Sequence, residues 1–210
     1  MGITYEHVEQ YLVEMQEDRD PLMQEMESYA QDHGVPIIGP VAGQFLYAIA
    51  KIHRSQRVLE AGTAIGYTAI WFARAIRDWG GTVTTLEKDQ DMASLARKNL
   101  VREGVEDRVE VVLGDALTSL ESLQGPFDLI FLDHAKQQYQ PFLSAALPKL
   151  VSGGVLLADN VLRGGSVAEE GSKDDMVQAM RSFNEYISQV SSLESMIIPL
   201  RDGISLAIKY

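Results

Sequence analysis

The chain has 210 residues, a length that fits one domain with a sizeable core. Its formal net charge of −12 argues against a basic nucleic-acid-binding surface, and the lack of cysteine excludes disulfides and thiolate metal sites. The sequence contains neither an apolar run of about 18 residues nor a charged leader followed by an apolar segment, which predicts a cytoplasmic protein without a membrane span.

The N-terminal segment, residues 1–34, differs from the rest of the chain. Between residues 5 and 33, apolar side chains recur at helical spacing among acidic residues. Pro21 fits the first turn of a second helix, and Gly34 ends that helix. We interpret the segment as a helical cap over the sheet edge, with a substrate lid or a dimer arm as alternatives, and assign residues 1–210 to a single domain.

Alternating strand and helix patterns fill the rest of the chain. The predicted strands are 57–59, 82–87, 109–113, 127–133, 155–159, 195–200 and 204–210, the last two around a hairpin turn. Helical patterns lie between most of them, and residues 162–175, which have little periodicity, predict a mobile loop. This order predicts an α/β doubly wound, Rossmann-like sheet, mostly parallel with an antiparallel strand at its edge and helices on both faces.

A glycine-bearing turn follows the first strand. Gly62 and Gly66 lie between that strand and a helical pattern, so backbone N–H groups and a positive helix end face one crevice. The full dinucleotide fingerprint G-x-G-x-x-G is missing, and Glu60 precedes the turn. Because a carboxylate beside the turn disfavours a pyrophosphate, the pattern favours a nucleoside ligand without phosphates.

Acidic residues recur where the predicted strands end. They are Glu60, Glu87, Asp115, Asp133 and Asp159. Any one of them could be a helix cap or a surface charge, but five at equivalent places predict a ligand-binding rim, because open α/β sheets bind ligands at the carboxyl ends of their strands. Glu87 also stands about 25 residues after Gly62, near the place where a Rossmann-type acid binds ribose hydroxyls.

A second group combines Asp133 with Asp159 and Asn160. Two carboxylates and an amide oxygen are hard ligands that suit Mg²⁺, although Asp159-Asn160 could instead form an Asx turn after the strand. Lys136 lies one helical turn from Asp133. Near a metal and an apolar pocket it could act as a base, and the alternative is a surface lysine paired with an acid.

These residues also resemble a known family. The run Leu59–Thr68 resembles the first motif of class I S-adenosylmethionine-dependent methyltransferases. A longer set is similar to the cation-dependent O-methyltransferases, the family of catechol and caffeoyl-CoA O-methyltransferases; it consists of Gly43-Gln44, Glu87, Gly114-Asp115-Ala116, Phe131–Tyr139 and Asp159–Leu162. The resemblance covers the chain from about residue 35 to its end.

The resemblance implies a role for each candidate residue. It assigns S-adenosylmethionine to Ile38, Glu60, Gly62, Gly66, Thr68, Glu87, Asp115, Ala116 and Asp133, with Glu87 on the ribose and Asp115 and Ala116 beside the adenine. It assigns a divalent cation, Mg²⁺ or else Mn²⁺ or Ca²⁺, to Asp133, Asp159 and Asn160. Lys136 would take the acceptor's proton, with Asp133 as the other catalytic residue.

The implied reaction is methyl transfer to a hydroxyl oxygen of a catechol-like or hydroxycinnamoyl-type small molecule, by a homodimer. A tRNA hydroxyuridine O-methyltransferase is an alternative that the negative charge disfavours. An NAD-type oxidoreductase and a non-catalytic S-adenosylmethionine-binding protein are further alternatives. The missing G-x-G argues against the first, and the complete set of Asp133, Lys136, Asp159 and Asn160 argues against the second.

Overall fold

The computed structural model describes residues 3–16 and 19–210. Met1, Gly2, Glu17 and Asp18 of the predicted N-terminal cap lie outside the described residues. The helices are α1 (Glu6–Glu14), α2 (Pro21–His33), α3 (Gly39–His53), α4 (Tyr67–Ile76), α5 (Gln90–Glu103), α6 (Ala116–Ser122), α7 (Tyr139–Ala146) and α8 (Asp175–Gln189). The strands are β1 (Arg57–Ala61), β2 (Thr82–Glu87), β3 (Val109–Leu113), β4 (Phe127–Leu132), β5 (Leu150–Ala158), β6 (Leu193–Ile198) and β7 (Ile204–Lys209).

The seven strands form one sheet in the order β3-β2-β1-β4-β5-β7-β6. Strands β1 to β5 pair in parallel, and β7 is antiparallel to both of its neighbours. The predicted α/β doubly wound, mostly parallel sheet is therefore confirmed. The antiparallel strand does not lie at the edge, however, because β6 takes the outer position and β7 fits between β6 and β5. Because β7 runs antiparallel to β5, it begins where the carboxyl ends of the parallel strands lie.

The core lies on both faces of the sheet. Strand β4 is almost wholly apolar, and most of its side chains are fully buried. One apolar cluster joins the sheet to α2, α3, α4 and α5, and a second joins its other face to α6, α7 and α8. Helices on both faces leave the strand ends as the accessible edge of the sheet.

The N-terminal helices attach differently from one another. Helix α2 begins at Pro21 behind an Asp20 cap and ends at Gly34, as predicted, and it buries Met23, Met26 and Ala30. Its cap residue Asp20 and its Glu25 pair with α4 and α5: Arg74 with Asp20 at 3.1 Å, and Arg102 with Glu25 at 2.5 Å. Helix α2 therefore packs on the helical layer, and the predicted role of residues 1–34 as a cap stays a prediction. None of the side chains described for α1 is fully buried.

Two further features differ from the sequence-based expectation. Helix α6 was not predicted, because its seven residues are too short to establish a helical period. Residues 163–168 of the predicted loop form short 3₁₀ turns, and Arg181 of α8 donates to the carbonyls of Ser166, Val167 and Glu169. In the described part of the chain, no helix combines the length and apolar character that crossing a bilayer requires.

Candidate active site

The acids predicted at the strand ends lie along one edge of the sheet, in the spatial order Asp115, Glu87, Glu60, Asp133, Asp159. Four backbone hydrogen bonds join neighbouring strand ends: Gly114 N to Glu87 O (2.7 Å), Gly62 N to Leu86 O (3.0 Å), Asp133 N to Ala61 O (2.8 Å) and Asp159 N to Leu132 O (3.0 Å). The parallel register therefore continues past the strands and holds these residues side by side.

The turn after β1 fits closely against the turn after β4. Gly62 has φ = +104°, and a Cβ there would overlap the carbonyl oxygen of Asp133. Gly66, at φ = +85°, precedes the first residue of α4. Both positions therefore require glycine, and the turn directs the start of α4 toward the crevice.

Glu87 is oriented by the backbone around it. Its Oε2 accepts a hydrogen bond from Ala64 N at 2.8 Å, and its Oε1 accepts one from Asp89 N at 2.9 Å. A carboxylate can accept about four hydrogen bonds, so two sites stay available to a ligand's hydroxyl groups. Asp89 in turn caps α5, which fixes the turn after β2.

Glu60 is fully buried in β1, and neither of its oxygens finds a hydrogen-bond partner among the residues described. Burial raises the pKa of Glu60 to about 8, and the negative charges of Asp133 and Glu87 add to the rise. Thr85 of β2 and Thr68 of α4, both buried, lie beside the carboxyl and partly offset this rise in its pKa. With this pKa, Glu60 is a neutral acid at moderate pH, one residue before the end of β1.

Asp133, Lys136 and Tyr139 form a connected group after β4. Lys136 Nζ donates to Asp133 Oδ1 at 2.7 Å and to the Tyr139 hydroxyl at 2.8 Å. The single hydrogen of that hydroxyl is shared between the carbonyls of Leu132 (2.9 Å) and Asp159 (3.1 Å). Burial raises the pKa of Tyr139, which keeps the phenol protonated. Tyr139 therefore joins the ends of β4 and β5 and fixes the Lys136 amine between them.

The surroundings of Asp159 show whether this predicted metal ligand suits a cation. It is buried, and its Oδ1 lacks a hydrogen-bond partner in the described residues. Burial and the nearby Asp133 raise the pKa of Asp159 to about 7. Asn160 follows it in the left-handed conformation, at φ = +59°. A buried carboxylate oxygen with an unused lone pair beside a second carboxylate fits a divalent cation. Within residues 3–16 and 19–210, no three His, Cys, Asp or Glu side chains cluster as metal ligands, and the predicted set needs only two of them.

The remaining candidates flank the same crevice. Asp115 caps α6 and accepts a hydrogen bond from Gln138, which holds the pKa of Asp115 below its usual range. Ala116 begins α6, and the buried Ile38 lies directly before α3. His134 was not singled out from the sequence; its ring lies 4.8 Å from Phe142, and burial lowers its pKa to about 4.

Arg201 is a second residue that sequence reasoning missed. It lies in the loop before β7, and its positive charge acts on Asp159. Gly203 O of the same loop accepts a hydrogen bond from Val161 N at 3.1 Å. The sequence did hold a signal for Arg201, because it lies in a predicted hairpin turn before the last strand. If that strand is antiparallel to its neighbour, the turn lies at the edge of the sheet where the parallel strands end.

The chain was compared with known proteins. A family model described as O-methyltransferase matches residues 13–210. The catechol O-methyltransferase of Niastella koreensis is 33% identical over 97% of both chains, and that of Mycobacterium tuberculosis is 43% identical over 67% of this chain and 64% of its own. Among solved structures, the O-methyltransferase from Bacillus cereus in complex with SAH has a TM-score of 0.89 at 33% identity over 97% of each chain. The O-methyltransferase TomG from Streptomyces achromogenes in complex with SAM has a TM-score of 0.88 at 29% identity, over 97% of this chain and 96% of its own.

Proposed function

The chain belongs to the O-methyltransferase family and is an S-adenosylmethionine-dependent enzyme, and on that premise we propose that it methylates a hydroxyl oxygen of a catechol-like small molecule. The observation that most supports this acceptor is the group of Asp133, Lys136 and Tyr139 beside Asp159. Two relatives named catechol O-methyltransferase add support. The family excludes the oxidoreductase alternative.

The cofactor would lie across the turns after β1, β2 and β3. Glu87, whose two oxygens each keep a free acceptor site, would bind the ribose hydroxyls. The turn from Gly62 to Gly66 would receive the methionine part, with Glu60 and Thr68 below it. Asp115 and Ala116 would flank the adenine, and Ile38 would line the pocket from the loop before Gly43. The acidic rim suits a cofactor with a positive sulfonium and an ammonium group.

Asp133, Asp159 and Asn160 would hold a divalent cation, and Mg²⁺ is the cation that we expect first. A bound cation lowers the pKa of a chelated hydroxyl, because it stabilises the oxyanion. Lys136, in its neutral form, would accept the hydroxyl proton at Nζ, held in place by the hydroxyl of Tyr139 and the carboxylate of Asp133. The acceptor oxygen then forms a bond to the methyl carbon while the carbon–sulfur bond breaks, which leaves S-adenosylhomocysteine and a methyl ether. Positioning the two reactants supplies much of the acceleration.

The test is methyl transfer from labelled S-adenosylmethionine to catechol and caffeate, with Mg²⁺ or EDTA. We expect turnover to need the metal and to vanish in Asp159→Ala. Lys136→Met should lower kcat about 10²–10⁴-fold with cofactor affinity unchanged in calorimetry. Asp107→Ala, which removes an exposed carboxylate elsewhere, is the control. Turnover indifferent to EDTA contradicts the metal site. Cofactor binding without turnover of any phenol contradicts the acceptor class, and undermodified tRNA is then the next acceptor to assay.

We also propose that the enzyme is cytoplasmic and that it forms a homodimer. The dimer is proposed because two-fold pairs are the commonest assemblies of soluble proteins. Sedimentation equilibrium should give twice the mass of the chain. A mass equal to that of one chain contradicts the dimer.

A further inference from the structure

A large cavity lies between α1 and loops at the carboxyl edge of the sheet. Its volume is about 1190 Å³, and its walls include Ile3, Tyr5, Glu9, Val13, Gly164 and Arg201. Pockets for small molecules are typically about 300–1,000 Å³, so this one has room for an aromatic ring with a side chain. One wall is therefore formed by α1 and the residues before it, and the other by two loops from the carboxyl edge of the sheet.

Those two loops are fixed to each other and to the strand that ends in Asp159. Leu162 N donates to Asp202 O at 2.9 Å, and Gly164 N donates to the Asp202 carboxylate. Gly164 follows Asn160 by four residues. The cavity wall thus includes the loop that follows Asp159 and Asn160, and the part of an acceptor beyond its reacting hydroxyls would extend toward it.

Arg201 is the one basic side chain among the described residues that line this cavity. A guanidinium has five N–H donors; here Nη1 donates to Ile37 O at 3.1 Å, and Nε lies 3.9 Å from Glu9 Oε1. The second distance is longer than a hydrogen bond. The side chain is 30% exposed. Among the described residues, most of its donors have no partner and can bind a ligand, and the backbone contact holds the group in place.

We propose that this cavity receives the non-reacting part of the acceptor and that Arg201 selects acceptors bearing a carboxylate. The inference rests on the proposed function, because it concerns the acceptor of that reaction. A carboxylate can form two parallel hydrogen bonds with a guanidinium, and such charged pairs are shorter and stronger than the loose contact that Glu9 makes. Glu9 competes with an anionic acceptor for Arg201. This competition weakens the binding of the acceptor but does not prevent it.

The acidic side chains of the cavity lead to the opposite expectation, a preference for cationic acceptors. Glu6 and Glu14 of α1 also line it and are exposed. If these acids determined selectivity, the preferred acceptor would carry an ammonium group. Because Glu6 and Glu14 are exposed, their fields are screened within about 10 Å at ordinary ionic strength, whereas the less exposed Arg201 lies close enough to Asp159 for its charge to act on that carboxyl. The two expectations predict opposite orders of acceptors.

The experiment measures kcat/KM for three catechols with the full chain, S-adenosylmethionine and Mg²⁺. The acceptors are 3,4-dihydroxybenzoate (anionic), catechol (neutral) and 3,4-dihydroxyphenethylamine (cationic). We expect wild type to prefer the anion. Arg201→Gln should lower kcat/KM for the anion roughly 10–100-fold relative to catechol, Arg201→Lys should lower it less, and Glu9→Gln should raise it. Calorimetry should show the same order for binding of 3,4-dihydroxybenzoate.

Arg102→Gln removes a positive charge that pairs with Glu25 between α2 and α5, and it should leave all three acceptors unchanged. Loss of activity by the same factor on all three acceptors in Arg201→Gln overturns the inference, since it means that Arg201 only holds the loops together. A wild-type preference for the cationic acceptor overturns it as well. Both outcomes leave the proposed function intact, because catechol is still methylated; absence of turnover on all three contradicts the proposed function itself.

Discussion

Single residues at the strand ends are held by close contacts, and Gly62 is the tightest. A side chain there would adopt a strained φ and also overlap the Asp133 carbonyl, whereas Gly80, at φ = +71°, has open space around it. We expect Gly62→Ala to destabilise the protein by roughly 3 kcal/mol or more and Gly80→Ala by about 1–2 kcal/mol. Urea unfolding measures both. Equal losses at the two positions would mean that the contact with Asp133 is unimportant.

Glu60 should make stability depend on pH. Its pKa is about 8 when folded and near 4.5 when unfolded. Its favourable contribution is therefore complete below about pH 4.5 and is lost as the pH rises toward 8, by at most about 5 kcal/mol at 1.36 kcal/mol per unit. Glu60→Gln should remove that part of the pH dependence.

The measurement is the free energy of unfolding of wild type and Glu60→Gln between pH 5 and pH 9. The difference between the two proteins isolates Glu60 from Asp159, whose raised pKa acts in the same direction. Glu110→Gln, at an exposed position of β3, serves as the control. A difference between wild type and Glu60→Gln that does not change with pH contradicts the prediction.

At the scale of elements, α8 holds residues 163–169, which lie on the proposed acceptor side of the site. Arg181 contacts three carbonyls of residues 166–169, and Asn184 Nδ2 donates to Val161 O at 2.8 Å. We expect Arg181→Met to release these turns, to raise the acceptor KM several-fold and to leave cofactor affinity unchanged, because the cofactor site lies on other strands. Steady-state kinetics and hydrogen exchange of residues 163–169 measure the effect.

Arg97→Met is a matched control, since Arg97 also contacts a backbone carbonyl, that of Val111, far from this segment. Unchanged exchange of residues 163–169 in Arg181→Met would show that other contacts hold them.

For the whole molecule, the proposed cofactor site joins β1, β2 and β3, so its ligand should stabilise the fold as a unit. S-Adenosylhomocysteine at about 100 times its Kd should add about 2.7 kcal/mol, or roughly 5–10 °C in Tm for a chain of this size. Calorimetry of wild type measures the shift, and NAD at the same concentration should give none. An equal shift with NAD would contradict the specificity inferred for the turn at Gly62.

Much of the fold followed from local pattern. The strand from residue 127 was evident because β4 is almost wholly apolar, and α2 was evident because Pro21 and Gly34 mark its ends. Helix α6 and the packing of α2 on α4 and α5 were not predictable in this way. The first is too short for periodicity, and the second depends on pairs such as Arg74 with Asp20, which are distant in sequence.

The sequence by itself determined the α/β alternation, the acids at the strand ends and the family, since these depend on residue type and spacing along the chain. Only the tertiary structure decided that β7 lies inside the sheet, that Tyr139 joins the ends of β4 and β5, and that Arg201 faces a cavity with α1. The reason is physical: strand order and side-chain contacts result from packing between segments far apart in the chain, and local spacing holds no information about that packing.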